Sequence, residues 1–407
     1  MNANTPVIEI RDVHDLAEAL REASANGKDG RTCGITGAGS KKKLGRHAPA
    51  TQRLSMHKLT GVTLYEPEEL VLSARAGTPL REIERLLETH RQQLAFEPMD
   101  YGSIYGAPAR TATIGGTIAV NASGPRRIKA GAARDHLLGF HAVTGRGDIV
   151  KSGGRVMKNV TGFDLSKLVC GSYGTLAALT EVTLKVLPKP ETELSLLILG
   201  LDEATSLALL RRAAGTPFEV SGFAMAPGGT IPGVDVNAAA LRIEGPKISV
   251  SARRDALLES IVDPSTRVMN LQDAHSQSFW TTIRDAEPVA RPAGHIWRLS
   301  VAPSNAFDVV ESIRKNGAPL RAHFYDWAGG LIWLALAPTP NASAPAVRGA
   351  VDAVGGHATL VRAEEDVRAR IDVFHPQPPA LAALTQRVKD AFDPAHVLER
   401  GRMRAEF

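Results

Sequence analysis

Between Thr111 and Gly124 the chain reads Thr-Ala-Thr-Ile-Gly-Gly-Thr-Ile-Ala-Val-Asn-Ala-Ser-Gly, three glycines and five small polar residues around three branched apolar ones. Gly115 and Gly116 let the main chain take positive φ and leave room for a ligand to lie against it, so that amide N–H groups take the part usually given to side chains. The spacing does not suit an ordinary amphipathic helix, and the stretch reads as a ligand-cradling loop. A second glycine-rich stretch, Gly34 to Gly45, and a third, Gly171 to Gly174, offer the same chemistry. Lys41, Lys42, Lys43 and Arg46 sit in or beside the first of these, and Arg126, Arg127, Lys129 and Arg134 follow the Thr111–Gly124 stretch. Backbone amides flanked by cations at separate turns describe a grip on a buried polyanion such as a pyrophosphate.

Two familiar phosphate motifs are near misses. After Gly34 and Gly39 come Ser40 and Lys41, the reverse of the order a P-loop requires, and Gly45 and Pro49 break the chain where its helix would begin. The dinucleotide fingerprint G-x-G-x-x-G fails as well, because Lys42 stands in the place of its third glycine.

The 407 residues suffice for two or three domains. A hydrophobic content of 43% with 22% charged residues is that of an ordinary globular chain. No run approaches the roughly 18 apolar residues of a membrane span, and the first residues do not resemble an export signal. A cytoplasmic location is expected. The two cysteines, Cys33 and Cys170, fit a reducing compartment as small buried hydrophobes, and they are too few for a cluster held by four thiolates. A net charge of +5 is modest and is no signature of a nucleic-acid binder.

The elements that must position the glycine turns follow from periodicity. A short strand at 7–10 leads to a helix that Asp12 caps, and a strand over 31–36 delivers the turn Gly37-Ala38-Gly39-Ser40-Lys41. Strands are expected at 62–64 and 70–72, a helix over 79–90, a hairpin of 137–143 with 149–151, and a strand over 179–187 before Pro188 and Pro190. Beyond Pro190 strand-like runs at 194–199, 219–224, 239–243, 296–301, 331–336 and 358–361 alternate with helices near 203–214, 252–262, 273–285, 304–315 and 344–354. That alternation predicts an antiparallel sheet with helices on one face. Pro376, Pro378 and Pro379 mark another boundary, followed by a helix at 381–392 and the tail Phe392-Asp393-Pro394 to Met403. The expected division is 1–190, 191–379, and a tail 380–407 returning to the first part. Four large rings, Phe324, Tyr325, Trp327 and Trp333, fall in one hairpin-like region and read either as core or as a subunit interface.

Taken together, Gly-x-Gly-Ser at 37–40, Thr-Ile-Gly-Gly-x-Ile-Ala-x-Asn-Ala-x-Gly at 113–124, Thr-Gly-x-Asp-Leu-x-Lys-Leu-x-x-Gly-Ser-x-Gly-Thr-Leu at 161–176 and the late Phe-Asp-Pro resemble the FAD-linked oxidases of the vanillyl-alcohol oxidase type. The wording Gly39-Ser40-Lys41 and Met157-Lys158-Asn159-Val160-Thr161-Gly162-Phe163-Asp164-Leu165 is most similar to the FAD-binding subunits of bacterial glycolate oxidases. The resemblance implies an α+β fold, a two-part FAD-binding domain with an antiparallel-sheet cap. It implies that Gly37 to Lys41 and Thr113 to Gly116 wrap the FAD pyrophosphate, that Ala119, Asn121 and Gly124 lie near the ribityl chain and flavin, and that the strand at Glu181-Val182 meets the adenine end. Thr36, Gly45, Pro98, Ile114 and Gly174 belong to the same implied site. Ser40 stands where some relatives carry a flavin-linking histidine or cysteine, so the FAD is expected to be dissociable. The implied partners are a larger flavin subunit and an iron-sulfur subunit, with a small hydroxy acid as substrate of the complex, which would place the chain in the cytoplasm or at the inner face of the cell membrane.

One departure bears on activity. Related 2-hydroxy-acid dehydrogenases carry a histidine cluster and a carboxylate-binding arginine in the second domain, whereas His275, His295, His323, His357 and His375 are scattered singly here, so no metal site is expected and no catalytic base is assigned. Arg298 and Arg284 are conceivable carboxylate binders. His136 and His141, separated by strand-like residues, would face opposite ways. Three roles remain open: a flavin-binding relay or structural subunit of a glycolate-oxidising complex, a self-sufficient flavin dehydrogenase, and an assembly subunit with a vestigial flavin site.

Overall fold

A computed structural model describes residues 5–25, 30–108, 110–154 and 163–407. The part of the third motif from Met157 to Gly162 lies outside the described residues. Asp12 caps the helix Val13–Ser24 by accepting from the His14 and Asp15 amides, and its apolar face packs on a three-stranded parallel sheet in the order Val7–Glu9, Gln52–Ser55, Cys33–Thr36. Parallel pairing carries the carboxyl end of Cys33–Thr36 straight into the Gly37–Lys41 turn. A second, antiparallel sheet runs Val62–Glu66, Val71–Arg75, Ala177–Lys185, Leu137–Thr144, Ile149–Gly153 and is backed by the helix Leu80–Glu88. His141 reaches Glu181 from this sheet, while His136 is buried and bonds the carbonyls of Ala130 and Lys185.

The Thr111–Gly124 stretch is not wholly a loop. Ile114–Ala119 is a short helix capped by Thr113, whose hydroxyl faces the Gly116 amide at 3.4 Å. Ile114 and Ile118 bury themselves toward the sheet, and Gly115 is there for packing: a Cβ would come within 2.6 Å of the Ala76 Cβ. Glycine lowers helix propensity, but the cap and the buried isoleucines offset that cost.

The cap is an internal duplication. Thr192–Leu199, helix Glu203–Ala214, Gly222–Ala226, Ala238–Gly245, helix Lys247–Ile261 and Arg267–Gln272 form one ferredoxin-like strand–helix–strand unit. His295–Ser300, helix Ala306–Lys315, Leu320–Asp326, Leu331–Leu336, helix Ala344–Asp352 and His357–Arg362 form the second. The units join through Met225 opposite Tyr325, giving one eight-stranded antiparallel sheet. Four helices cover one face around Leu207, Leu257, Val310 and Val351. The other face carries the helix Asp273–Arg284 and meets Leu44, Met99, Tyr101 and Ile104 of the first half. Phe324, Tyr325, Trp327 and Trp333 are buried in the chain's own core, which decides that alternative.

The tail returns to the first sheet. Leu398 bridges Cys33 in parallel, the Ile35 amide donates to Glu399 at 2.7 Å, and the Arg46 amide donates to the Arg402 carbonyl at 2.8 Å. A fully buried ion pair, Lys389 to Asp393 at 2.6 Å, anchors it, with Lys389 also donating to the carbonyls of Thr175 and Leu398.

Candidate functional site

The turns meet around a cavity of about 540 Å³, within the usual span of small-molecule sites. Thr36, Gly37, Ala38, Gly39, Ser40 and Lys41 line one side, Thr113, Gly115, Gly116 and Ala119 another, and Gly174 with Ser172 and Tyr173 a third. The first two approach so closely that a Cβ on Gly37 would lie 2.5 Å from the Thr113 hydroxyl.

Among the described residues, three features of the wall are short of partners. Among the described residues, the amides of Gly37, Ala38, Gly39, Ser40 and Lys41 find no acceptor. The Ser172 hydroxyl is buried without a hydrogen bond. Lys41 is only 7% exposed, and its ammonium has one long bond, 3.4 Å to the Ser40 hydroxyl. Burial pushes its pKa down to about 8 against a small opposing pull from Asp100. Lys41 and Ser172 are buried, and under-paired buried donors are costly. An anion with several acceptor oxygens would satisfy all three features, so this donor set fits a diphosphate.

The remaining wall was not read from the sequence. Val169, Ala177, Ala178 and Leu179 supply apolar surface, and Glu365 and Arg368 of the cap and Glu399 and Arg402 of the tail complete it. Arg368 donates to the carbonyls of Lys43 and Gly45 at 2.8 and 2.9 Å, and Arg402 donates to the carbonyls of Lys41 and Leu44. These arginines shape the first glycine turn from outside it. The only hint in the sequence was that the tail returns to this half of the chain.

Several residues of the implied site lie off the cavity wall. Gly45 is behind it, packed against Arg402, and Ile114 is buried toward the sheet. The Asn121 side chain accepts from the Arg134 amide. Gly124 is wedged between Glu97 and Arg284, next to the Pro98 segment. Val182 is fully buried and Glu181 faces His141, so the strand meets the cavity earlier, at Ala177–Leu179.

The second group of cations does not face the cavity either. Arg126 donates to Glu244 at 2.7 and 3.0 Å and pairs with Glu97 at 3.1 Å, and Arg242 forms a two-pronged pair with Glu97 at 2.8 and 2.9 Å. Burial alone would raise the Glu97 pKa, but the two guanidiniums hold it at about 2. Glu193, the third carboxyl, has its pKa raised by burial and is bonded by the Ser276 hydroxyl at 2.5 Å. Two guanidiniums and three carboxyls thus meet at the junction, and their pairing pins the cap to the first half. Lys129 reaches Glu219, and Arg134 donates to the Cys170 carbonyl.

Of the two suggested carboxylate binders, Arg284 is occupied by Asp285 at 2.7 and 2.8 Å. Arg298 has no hydrogen-bonded partner among the described residues and lies 5.2 Å from the Trp327 ring centre. Beside it Asp326 is buried, donates nothing, accepts the Trp327 amide at 2.7 Å, and has its pKa pushed up to about 7 by burial. His323 bonds Glu203, His295 bonds Thr339, and His375 pairs with Asp352 and accepts the Ala358 amide, next to His357. Among the described residues no three histidine, cysteine or acidic side chains group as metal ligands, and no helix is long and apolar enough to cross a membrane.

Comparison with known proteins agrees with this geometry. Residues 5–153 match the FAD binding domain family. Alkyldihydroxyacetonephosphate synthase superposes on 97% of this chain and 75% of its own with a TM-score of 0.70 at 15% identity, which shows a shared fold. D-lactate dehydrogenase of Anaerostipes hadrus is 36% identical over 36% of this chain and 29% of its own length. Glycolate oxidase subunit GlcD of Bacillus subtilis is 37% identical over 33% of this chain and 27% of its own. Glycolate oxidase subunit GlcE of Escherichia coli is 36% identical over 91% of this chain and 92% of its own length. The chain therefore belongs to the GlcE family of glycolate oxidase subunits, within the FAD-dependent oxidoreductases.

Proposed function

We propose that this chain is the FAD-binding subunit of a multi-subunit glycolate oxidase, and that the cavity holds the FAD without a covalent bond. The observation that carries the reading is that the Gly37–Lys41 amides, without acceptors among the described residues, share one cavity wall with the buried Lys41 and the orphaned Ser172 hydroxyl. These groups would hold the diphosphate, joined by the Thr113–Gly116 turn. Each hydrogen bond to a charged oxygen contributes about 1.5–3 kcal/mol, so a few of them retain a cofactor unaided. Val169 and Ala177–Leu179 offer an apolar wall to a planar ring. Bound FAD supplies a two-electron acceptor for a C–H bond next to a hydroxyl. The partners on this reading are a larger flavin subunit and an iron-sulfur subunit, the whole assembly residing in the cytoplasm or against the inner face of the cell membrane.

Purified chain should be yellow, with one FAD per chain, and acid or heat denaturation should release all of it. Flavin retained on the peptide would refute the dissociable site, and a colourless chain that takes up no FAD would refute the reading itself. A second reading, oxidation of the hydroxy acid by this subunit alone, is favoured by Arg298, which has no hydrogen-bonded partner among the described residues. Anaerobic bleaching of its flavin by glycolate without partner subunits distinguishes the two.

A further inference from the structure

The eight-stranded sheet of the cap is joined across its middle by a single residue pair, Met225 opposite Tyr325. Continuing that antiparallel register would set Pro227 against His323, and proline has no amide to donate, so the ladder stops. The chain turns away through Gly228 and Gly229, where the Gly229 amide donates to the Val234 carbonyl at 2.8 Å. The seam between the two duplicated units therefore opens into a second cavity, of about 510 Å³, which shares no lining residue with the first.

His323 lines this second cavity although it is only 5% exposed. Its Nε2 lies 2.9 Å from a Glu203 carboxylate oxygen that also accepts the Tyr325 hydroxyl at 3.0 Å. Burial pushes the Glu203 carboxyl up, but the bonds from His323 and Tyr325 outweigh it and hold the group below its ordinary value. A carboxylate only accepts, so Nε2 carries the proton and Nδ1 keeps its lone pair. The Tyr325 ring meets the imidazole edge-on with centres 5.5 Å apart and fixes its tilt. Among the described residues Nδ1 has no partner, so a buried imidazole brings a free nitrogen to the cavity wall.

Three arginines from separate elements line the same space: Arg291 after the helix Glu287–Ala290, Arg314 in the helix Ala306–Lys315, and Arg321 in the strand Leu320–Asp326. Two are loosely tied. Arg291 is 3.9 Å from Glu287, and Arg321 has one long bond, 3.4 Å, to the Ala293 carbonyl. Arg314 is paired with Glu311 at 2.5 Å. Among the described residues Glu203 is the only carboxylate on the wall, and His323 and Tyr325 already occupy it. Guanidinium donors around one nitrogen lone pair complement a phosphoryl group, which offers several acceptor oxygens and one exchangeable hydrogen. The second proton of a phosphate monoester leaves at a pH of about 6, so a hydrogen lies between ester and Nδ1 whichever of the two carries it.

We propose that the seam of the cap is a binding site for the phosphoryl group of a small molecule, with Arg291 and Arg321 on its oxygens and His323 Nδ1 sharing its proton. The site is separate from the flavin cavity and does not rest on the flavin reading.

The probes are glycerol 3-phosphate and inorganic phosphate, titrated by calorimetry into the FAD-loaded chain so that the first cavity is filled, with glycerol as the analogue lacking the phosphoryl group. Saturable binding of at least one phosphate probe and none of glycerol is expected. Tighter binding of the ester assigns the site to a phosphorylated metabolite and equal binding assigns it to free phosphate; both support it. Arg291→Gln and Arg321→Gln, at exposed positions, should each weaken binding by roughly tenfold, the loss expected for a charged hydrogen-bonded contact. Arg321→Lys should recover part of the loss. Arg267→Gln, on the edge strand of the sheet, controls for net charge and should bind as wild type. With isotope-labelled histidine, the His323 Nδ1 resonance should move when the probe is added, and His323→Gln should remove that signal. Should His323→Gln fail to fold, the arginine variants still decide. Affinity within twofold of wild type in both glutamine variants of Arg291 and Arg321, or no saturable binding of either probe, would overturn the site. Binding that is lost in Lys41→Met and kept in both of those variants would overturn it too, because the phosphate would then lie in the first cavity. Failure to load FAD counts against the flavin reading alone, and the same titration of the flavin-free Lys41→Met chain then tests the seam.

Discussion

The molecule buries two collections of charge about its central junction, and they are built on opposite plans. The Glu97–Arg126–Arg242–Glu244 cluster, with Glu193, contains every counter-charge it needs, and its bonds run between the two halves of the chain. Among the described residues, the cavity wall presents donors with no acceptor at the Gly37–Lys41 amides and the Ser172 hydroxyl, and a Lys41 ammonium with a single long bond. The first collection is complete and structural. The second is completed only by a ligand. Both follow cationic stretches beside glycine-rich segments, so residue type alone does not separate them; the separation lies in whether acids from distant sequence return to meet the bases.

If the cluster is structural, breaking it should have the largest effect on stability and little on flavin content. Glu97→Gln leaves two buried guanidiniums short of a counter-charge and is expected to cost about 3–5 kcal/mol in denaturant unfolding at neutral pH. Because the folded pKa of Glu97 is lowered, to about 2 from 4.5, its contribution is present above the unfolded value and lost as pH falls from roughly 4.5 toward 2. The variant should lose that part of the acid dependence.

Gly37→Ala addresses the other side. Its methyl group would meet the Thr113 hydroxyl at 2.5 Å and force the two turns apart, at about 1–3 kcal/mol of overpacking. Flavin per chain should drop sharply, which absorbance measures. A fully loaded Gly37→Ala protein would show that the contact between the turns does not matter.

Asp326→Asn sharpens the contrast by removing a buried acid while keeping an oxygen for the Trp327 amide. The folded pKa is raised, so the native state disfavours the carboxylate: stability falls as pH rises from about 4 to about 7, and the full cost remains above that. The variant should exceed wild type by about 1–3 kcal/mol at pH 8 and match it near pH 4 in thermal unfolding. Lys41→Met should have the smallest effect on the empty protein, a gain of about 1 kcal/mol, since a desolvated ammonium is lost. The lowered pKa of Lys41 means that the unfolded chain holds a proton the folded one has released between about 8 and 10.5, so the cost is full below 8 and fades above it. Bound diphosphate should restore the charge. Wild-type FAD affinity should accordingly fall as pH rises above 8, and isothermal titration of Lys41→Met should show no such step.

What the sequence revealed depended on how local each signal was. The Gly37–Lys41 turn was legible because a strand, a glycine turn and a lysine lie within a few residues. The short helix Ile114–Ala119 was hidden by its own glycines, whose role in packing against Ala76 belongs to the tertiary structure. In sequence Arg126 reads as a ligand contact, because Glu244 lies more than a hundred residues away and nothing near it announces the pair. Arg267–Gln272, an edge strand with a mixed face, and Leu320–Asp326 lacked the apolar runs that marked the other cap strands, so the duplication stayed out of sight. Arg368 and Arg402 act through backbone carbonyls, a use that leaves no pattern to read.

The central claim is that main-chain amides of the Gly37–Lys41 turn grip a diphosphate, and comparing FAD with riboflavin, which has the same ring system but no phosphate, tests it most directly. Titrated into flavin-free chain, FAD should bind at least a thousandfold more tightly, as expected when several charged hydrogen bonds of about 1.5–3 kcal/mol are withheld. Riboflavin binding within tenfold of FAD would contradict the account, because the grip would then lie on the ring and not on the phosphates.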